Sequence, residues 1–304
     1  MKINVPKVAV LMSTYNGERY LQEQIDSVMN QKGVDIDLYI RDDGSKDRTI
    51  EIIKKNKRDN IYLEEGINVG VGNSFMSLVY TVSDDYDYYA FCDQDDIWLE
   101  EKILRAVQVL CESGKVIYCS NQTIVDSKGK VREIRYLKPI QLDLINEIQE
   151  NKVTGCTIVF TRELKKIVCD EKRRPGNDFM KQQIHDIWFA LVGCAINSII
   201  YDQESYIYYR QHENNVIGIK KETVKEKIKK WRRKLANKEL RNSRSKRAKE
   251  IYTKFGDCFS NKLVKASAYP ENIRNRIIII KNYSYFKEHN NIIEFLLFVV
   301  LGQF

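Results

Sequence analysis

Short apolar runs alternate with polar turns through the N-terminal third of the chain. Four runs consist mainly of aliphatic and aromatic residues, and polar residues follow each of them: Val8–Met12, Asp37–Ile40, Ile61–Leu63 and Tyr88–Phe91. From Glu18 to Gln31 the apolar residues instead recur with the period of an amphipathic helix. This alternation predicts an α/β fold whose parallel sheet binds a ligand at the carboxyl ends of its strands.

Polar turns follow the predicted strands at the places where a nucleotide would bind. Ser13–Gly17 comes after the first strand, Arg41–Ser45 after the second and Asp93–Asp96 after the run at Tyr88–Phe91. The glycine-rich segment Asn68–Asn73 lacks the Gly-Lys-Ser/Thr of a P-loop and the complete dinucleotide fingerprint, so by itself it is weak evidence for phosphate binding. The ordered succession of turns is the stronger indication.

Three carboxylates, those of Asp93, Asp95 and Asp96, lie within four positions directly behind an apolar run. Carboxylates packed this closely repel one another, and a hard cation such as Mg²⁺ or Mn²⁺ relieves the repulsion while leaving coordination positions for phosphate oxygens. An acidic loop or a helix N-terminus would account for the same residues, because acids favour the first turn of a helix. Both interpretations are open at this level.

The chain divides by charge near Gly218. From Ile219 to Glu250 it carries 15 Lys and Arg against 4 Asp and Glu, whereas the formal net charge of all 304 residues is only +8. We therefore predict a first domain over residues 1–218, which holds the acidic turns, and a basic helical region over residues 219–304.

Composition indicates an ordinary globular protein. Hydrophobic residues make up 43% and charged residues 30% of the chain. No apolar run reaches the length of about 18 residues that a membrane span needs, and no secretory signal is visible. The seven cysteines are dispersed without a Cys-x-x-Cys pair, which predicts reduced thiols and a cytoplasmic location.

Several motifs together resemble glycosyltransferase family 2, a group of inverting enzymes with the GT-A fold. The resemblance runs from about Val8 to Gly218 and rests on Asp93–Trp98, His185–Trp188 and Tyr209–Val216 in addition to the turns above. Within the family, these motifs look like the bacterial rhamnosyltransferases that build cell-surface polysaccharides. The resemblance implies a nucleotide-diphospho-sugar transferase fold, with a Rossmann-like, mixed but mostly parallel sheet and a C-terminal helical extension.

The resemblance assigns roles in binding the nucleotide-sugar donor. Ser13, Thr14 and Tyr15 match the turn that receives the base and ribose, with Tyr15 able to stack on the pyrimidine. Asp43 matches the acid that hydrogen-bonds the base, and Asn73 lies where the family contacts the nucleotide or donor.

The acidic cluster divides into separate roles in the same resemblance. Asp95 would hold the divalent metal, Mg²⁺ or Mn²⁺, and Asp93 would lie near the ribose and the donor sugar. Asp96 would either orient sugar hydroxyls or cap a helix that we expect to begin near Trp98.

Asp186 matches the catalytic base of the family, which takes the proton of the acceptor hydroxyl. It follows His185 at a predicted helix start, where an N-cap role would also account for an aspartate. Arg210 and His212 fall in the segment that closes over the diphosphate and acceptor. Arg210 would bind phosphate, and His212 would ligate the metal or donate to phosphate, unless they are surface residues of a loop.

The resemblance implies a metal-dependent transferase that moves a sugar, with L-rhamnose from dTDP-rhamnose as the leading donor, onto a lipid-linked or growing cell-surface polysaccharide. Other nucleotide sugars, such as UDP-glucose or UDP-galactose, are the first alternative. A nucleotidyltransferase and a basic nucleic-acid-binding module are alternatives from other functional classes. The chain lacks the Gln-x-x-Arg-Trp motif of processive family members, which favours single additions.

The basic region contains the dense cluster Lys229–Lys234 and, near its end, the apolar run Ile292–Leu301. We prefer a peripheral contact with the inner face of the cell membrane to nucleic-acid binding, because inner leaflets are anionic and polysaccharide acceptors are usually lipid-linked. A solvated helix face is the alternative for the cluster. The apolar run is too short to span a bilayer, and would insert at the interface, pack in a homo-oligomer or pack on the chain's own helices.

Overall fold

The computed structural model describes residues 5–56, 58–212, 237, 242–286 and 292–302. Within these residues the chain forms two compact units. The first unit draws its residues from Met1–Gln141, Val153–Phe189 and Ser198–Asn215, and the second from Leu142–Lys152, Ala190–Asn197 and Val216–Phe304. The predicted domain boundary near Gly218 and the basic cluster Lys229–Lys234 lie outside the described residues, so both stay predictions.

The first unit is built on one mixed sheet. Its strands among the described residues are β1 (Lys7–Thr14), β2 (Asp35–Asp42), β3 (Ile61–Glu65), β4 (Tyr88–Cys92), β5 (Ile97–Trp98), β6 (Ile117–Val125), β7 (Val131–Ile134), β8 (Val159–Thr161) and β9 (Ile199–Arg210). The spatial order is β3-β2-β1-β4-β8-β6-β9-β5, and β7 pairs with β6. Pairing is parallel from β3 to β4 and between β6 and β9, and antiparallel at the other contacts.

Helices connect the strands of the first half of the sheet and form most of the second unit. They are α1 (Leu21–Met29), α2 (Thr49–Lys55), α3 (Val71–Thr81), α4 (Lys102–Ser113), α5 (Leu144–Gln149), α6 (Arg162–Cys169), α7 (Asn177–Ala195), α8 (Ser243–Phe255), α9 (Lys262–Ala268), α10 (Ile273–Lys281) and α11 (Ile292–Val300). The predicted α/β architecture with C-terminal helices is confirmed.

The core explains why the first strand is apolar throughout. Val8, Val10 and Met12 of β1 are completely buried and belong to one cluster with Leu21 and Ile25 of α1. A parallel strand in the middle of a sheet is covered on both faces, so it reads as a continuous apolar run instead of an alternating one. Because β1, β2 and β4 run in the same direction, their polar turns meet at one edge.

One expected helix start is wrong. Ile97–Trp98 pairs antiparallel with β9, and the helix that we expected near Trp98 begins at Lys102 with Glu101 at its N-cap. The side chain of Asp96 therefore does not cap α4. The pattern was misleading because a two-residue strand is too short to show any periodicity.

The second unit has an apolar interior of its own. Ile251, Phe255 and Val264 are buried, as are Phe286 and Phe295. Over the described ranges, none of the helices combines the length and the apolar character that crossing a bilayer requires.

Candidate active site

Asp95 and His212 meet although 117 residues separate them in the chain. The loop after β4 carries Asp95, and the end of β9 carries His212, whose Nε2 lies 2.7 Å from Asp95 Oδ2. The side chains of Asp95 and His212 are 15% and 10% exposed, respectively, so both are partly accessible to solvent. The ring of His212 also lies 5.0 Å from that of Tyr20.

Asp93 and Asp186 lie near Asp95. We call these three aspartates, Asp93, Asp95 and Asp186, the acidic edge. Burial, and then the negative charges of Asp95 and Asp186, raise the pKa of Asp93 to about 7. The sheet edge and α7 thus bring the predicted donor contact, metal ligand and base close enough to repel one another electrostatically. Such a group attracts a cation or a proton.

A break in α7 positions Asp186. Ile184 adopts φ 49° and ψ 170°, which separates the helix into two segments, and His185 and Asp186 open the second. Positive φ is strained for a β-branched residue, at a cost of about 1–3 kcal/mol, and such strain persists only where the surroundings impose it. Asp186 is 3% exposed, and its Oδ1 accepts the backbone N–H of Ile187 at 2.6 Å.

The imidazole of His185 acts as an apolar anchor for this break. It stacks on Phe75 with ring centroids 3.9 Å apart and meets the edge of Phe91 at 4.6 Å. Burial lowers the pKa of His185 to about 3, so the ring is neutral. A Cβ on Gly155 would lie 2.4 Å from His185 Nε2, so this position requires glycine.

Gly72 lets α3 approach the same break. A Cβ there would lie 2.3 Å from the carbonyl oxygen of Met180 and 3.0 Å from the Cα of Ile184. The glycine-rich segment therefore has a packing role that we did not predict. Gly70, with φ 86°, precedes α3 in a conformation that side-chain-bearing residues avoid.

Arg210 and Asp96 lie behind the acidic edge. The guanidinium of Arg210 donates to the carbonyl of Asp95 at 2.9 Å and to Glu23 Oε2 at 2.5 Å, and it covers the ring of Tyr20 at 4.6 Å. Asp96 is completely buried and accepts the backbone N–H of Arg210 at 3.0 Å. Both side chains thus tie β9 to the acidic loop, in addition to the ligand-binding roles that we predict for them.

The turns after β1 and β2 form a second acidic region, which we call the nucleotide edge. Thr14 donates to Asp42 Oδ2 at 2.9 Å, and the backbone N–H groups of Gly44 and Ser45 donate to Asp42 Oδ1. Ser13 donates to Ser74 at the start of α3. These bonds fix the shape of both turns.

Asp43 is held by a buried arginine. Arg41 Nη1 donates to Asp43 Oδ1 at 2.6 Å, and the N–H groups of Val69 and Gly70 donate to the two carboxylate oxygens at 2.9 Å. Arg41 Nη1 also donates to Ser74. The sequence indicated Asp43 but not its partner Arg41.

Gln94 links the two regions. Its side chain accepts the N–H of Tyr15 at 2.9 Å and donates to the Tyr15 carbonyl at 3.1 Å. The Tyr15 side chain remains 45% exposed, so its ring is available for stacking. The sequence did not indicate this role for Gln94, because a glutamine between aspartates carries no signal that it will bond to another loop.

Asn73 borders a cavity of about 890 Å³ in the first unit. Its side-chain amide donates to the carbonyl of Val69 at 3.2 Å. Arg41, Arg174 and Lys181 also line the cavity, and no carboxylate is among the residues described in its wall. The cavity therefore favours an anionic group, yet it does not include the acidic edge.

One group of three side chains in the described chain is close enough to share a metal ion, and the pair of Asp95 and His212 is a second candidate. Asp93, Asp96 and Cys156 place ligand atoms within 4.8 Å of one another. Asp96 and Cys156 are completely buried, however, and a thiol suits neither Mg²⁺ nor Mn²⁺. Asp95 and His212 are reachable from solvent and provide a carboxylate, so this pair fits the expected cation better.

Comparison with known proteins identifies the family. The model of glycosyl transferase family 2 matches residues 9–167. The dTDP-rhamnosyl transferase RfbG of Shigella flexneri is 32% identical over 220 residues, which cover 68% of this chain and 73% of that protein. An uncharacterized glycosyltransferase of Rickettsia typhi is 27% identical over 68% of this chain and 65% of its own length. The chain belongs to glycosyl transferase family 2.

Solved structures support the fold of this glycosyltransferase. TarS 1–349 of S. aureus in complex with UDP-GlcNAc has a TM-score of 0.57 and 15% identity, over 86% of this chain and 70% of that one. The complex of TarS 1–349 with UDP has a TM-score of 0.54, over 94% of this chain and 93% of that one. These structures confirm the predicted GT-A fold, and the family match confirms the predicted glycosyltransferase class.

Proposed function

We propose that this glycosyltransferase is an inverting, metal-dependent enzyme that transfers L-rhamnose from dTDP-rhamnose to a lipid-linked or growing cell-surface polysaccharide. The observation that carries the proposal is the convergence of Asp93, Asp95, Asp186 and His212 at one end of the sheet. Similarity to a dTDP-rhamnosyl transferase favours rhamnose as the sugar. A bound UDP-GlcNAc in a structural neighbour keeps other nucleotide sugars as the alternative.

Each residue at the acidic edge has a task in this reaction. The acceptor oxygen attacks the anomeric carbon, the bond from that carbon to the diphosphate breaks, and Asp186 takes the hydroxyl proton. Asp93 would orient the donor sugar. Attack and departure occur on opposite faces of the carbon, so the configuration inverts.

A divalent cation held by Asp95 and His212 would neutralise charge on the diphosphate as it leaves. Tyr15 would stack on the base, between turns that Gln94 holds together. Asp43 Oδ2 accepts one described N–H, from Gly70, and a carboxylate oxygen can accept a second from the base. Asn73 and Arg210 stay proposed contacts of the donor, Asn73 through the cavity that it borders and Arg210 by its charge.

The acceptor proposed here implies where the enzyme works. A lipid-linked glycan is held at the membrane surface, so we propose peripheral attachment to the inner face of the cell membrane. The basic cluster Lys229–Lys234 supports this location by its charge alone, since it lies outside the described residues.

A donor panel tests the proposal without a known acceptor. Purified protein with Mn²⁺ or Mg²⁺ is incubated with dTDP-rhamnose, UDP-glucose, UDP-galactose and UDP-GlcNAc, and released nucleoside diphosphate is measured. We expect the fastest hydrolysis from dTDP-rhamnose and none in EDTA. Faster release from a UDP-sugar would overturn the rhamnose assignment, while pyrophosphate release from a nucleoside triphosphate would indicate a nucleotidyltransferase.

A further inference from the structure

The second unit exposes aliphatic side chains on two neighbouring helices. Ile273, Ile277 and Ile280 of α10 are 70%, 48% and 37% exposed. The guanidinium of Arg276 donates to the carbonyl of Val300, which brings α10 beside the end of α11. We call the exposed set the apolar face; it consists of Ile273, Ile277, Ile280, Tyr285, Ile292, Leu296, Leu297, Val300 and Leu301.

The apolar face is one side of amphipathic helices and not a misplaced core. On α11, Phe295, Phe298 and Val299 are buried, whereas Leu296 and Val300 point outward. The apolar run thus packs on the chain's own helices with one side and is exposed on the other. A folded protein seldom leaves this many aliphatic side chains exposed together unless they contact something.

Cations flank the isoleucines of α10. At about 100° per residue, Ile273, Ile277 and Ile280 fall within one narrow stripe, with Arg274 and Lys281 on one side of it and Arg276 on the other. From 262 to 301 the chain carries six Lys and Arg and three acids, Glu271, Glu288 and Glu294, so its net charge is positive. An aliphatic stripe between cations matches a bilayer interface, where side chains enter the acyl region and cations meet headgroup phosphates.

We propose that the apolar face inserts into the interfacial layer of an anionic lipid bilayer. The alternative occupant, a second copy of the chain, would have to pair this face with itself in a two-fold dimer and so bring like-charged rims together. Anionic lipid neutralises the same rims. Tyr285, at 58% exposure, adds an aromatic ring with a polar tip of the kind that favours the interface. The inference deepens the proposed function by naming the surface that holds the enzyme beside a lipid-linked acceptor.

Vesicle sedimentation tests the proposal on the full chain. The probes are phosphatidylcholine vesicles and vesicles in which about a third of the lipid is phosphatidylglycerol. We expect binding to the anionic vesicles, and at least a tenfold weaker partition for the double variant Ile277→Gln, Val300→Gln. Both side chains are exposed, so the fold should tolerate the change. Leu137→Gln, at an 88% exposed leucine of the first unit, is the matched control and should bind like the wild type.

The outcomes separate the face from the rest of the protein. Unchanged binding by the double variant would overturn the proposal and leave the basic cluster as the membrane contact. A dimer of the wild type in sedimentation velocity that the double variant abolishes would assign the face to a second copy instead. Donor hydrolysis is measured in parallel. If neither the wild type nor the variants hydrolyse the donor, the proposed function is contradicted, while the vesicle result still stands.

Discussion

The nucleotide edge and the acidic edge both contain aspartates that follow parallel strands. The two regions differ in how the charges of these aspartates are balanced. Asp43 is paired with Arg41 and accepts two backbone N–H groups. Asp93 instead lies near two other carboxylates, and burial and their charges raise its pKa to about 7. The fold supplies a cation and backbone N–H donors to Asp43, and brings the carboxylates of the acidic edge close to one another.

This difference distinguishes aspartates that stabilise the fold from aspartates that we propose to act in the reaction. A carboxylate that accepts hydrogen bonds from its own chain fixes a turn, and only its remaining lone pairs can accept from a ligand. A group of carboxylates that repel one another stores unfavourable free energy that a bound cation or a proton relieves. We therefore expect substitutions at the acidic edge to affect activity and metal binding, and substitutions at the nucleotide edge to affect stability first.

Replacing the proposed base should have the largest effect. Asp186→Asn removes the group that takes the acceptor proton, and we expect transfer to fall roughly 10³-fold with nucleotide affinity unchanged. Transfer kinetics and calorimetric titration with nucleoside diphosphate measure the two quantities. Asp178→Asn, at an exposed acid of the same α7, is the control and should stay near wild-type activity. Near-normal transfer by Asp186→Asn would leave this residue without a catalytic role.

Removing the predicted metal ligand should come next. Asp95→Asn should lower transfer between about 10²- and 10³-fold, because charge on the departing diphosphate loses its counterion. Electron paramagnetic resonance of Mn²⁺ in the presence of nucleoside diphosphate should show weaker metal binding. Glu112→Gln, at an exposed acid on α4, should change neither quantity. Unaltered Mn²⁺ affinity in Asp95→Asn would contradict the assignment of this ligand.

At the nucleotide edge the first effect should be on folding. Asp43→Asn leaves the buried Arg41 without its counter-charge, and we expect unfolding free energy to fall by about 3 kcal/mol. Glu64→Gln removes the other acid near Arg41, at 3.4 Å, but Glu64 is 49% exposed, so we expect less than about 1 kcal/mol. Urea denaturation measures both. If both variants lowered the unfolding free energy equally, the buried pair of Arg41 and Asp43 would have no special importance for stability.

The smallest expected effect is a pH dependence of stability without metal. The pKa of Asp93 is higher in the folded chain than the 3.8 of an ordinary aspartate, so its proton stabilises the fold below about pH 4 and this stabilisation is lost as the pH rises through about 7. In EDTA we expect Tm to fall across that window. Mn²⁺ should restore Tm at pH 8, and Asp93→Asn should flatten the curve; a curve that the substitution leaves unchanged would assign the titration to another group.

Much of the first half of the sheet was predictable because its patterns are local. β1, β2 and β3 follow the apolar runs, and the turns after them come in the predicted order. The later elements were harder. β7 consists of four exposed residues, and the first segment of α7 lies in a polar stretch, so neither shows the burial pattern on which sequence reasoning depends.

The candidate site residues were predicted from residue type and from the resemblance, whereas the residues that hold them in place were not predicted. Nothing near Gln94 or Gly72 in the sequence indicates that one ties two loops together and the other admits the backbone of Ile184. Those roles depend on contacts between residues that are far apart in the chain. Local propensity contains no information about such contacts.

The sequence by itself determined the alternation of strands and helices, the position of the acids behind β4 and the family, because these follow from periodicity, turn chemistry and motif order. The tertiary structure alone decided that Asp43 is neutralised by Arg41 and that Asp95 meets His212. It also decided which side of α11 is left exposed. The physical reason is that a charge or an apolar side chain is satisfied or unsatisfied only by its neighbours in space, and folding chooses those neighbours.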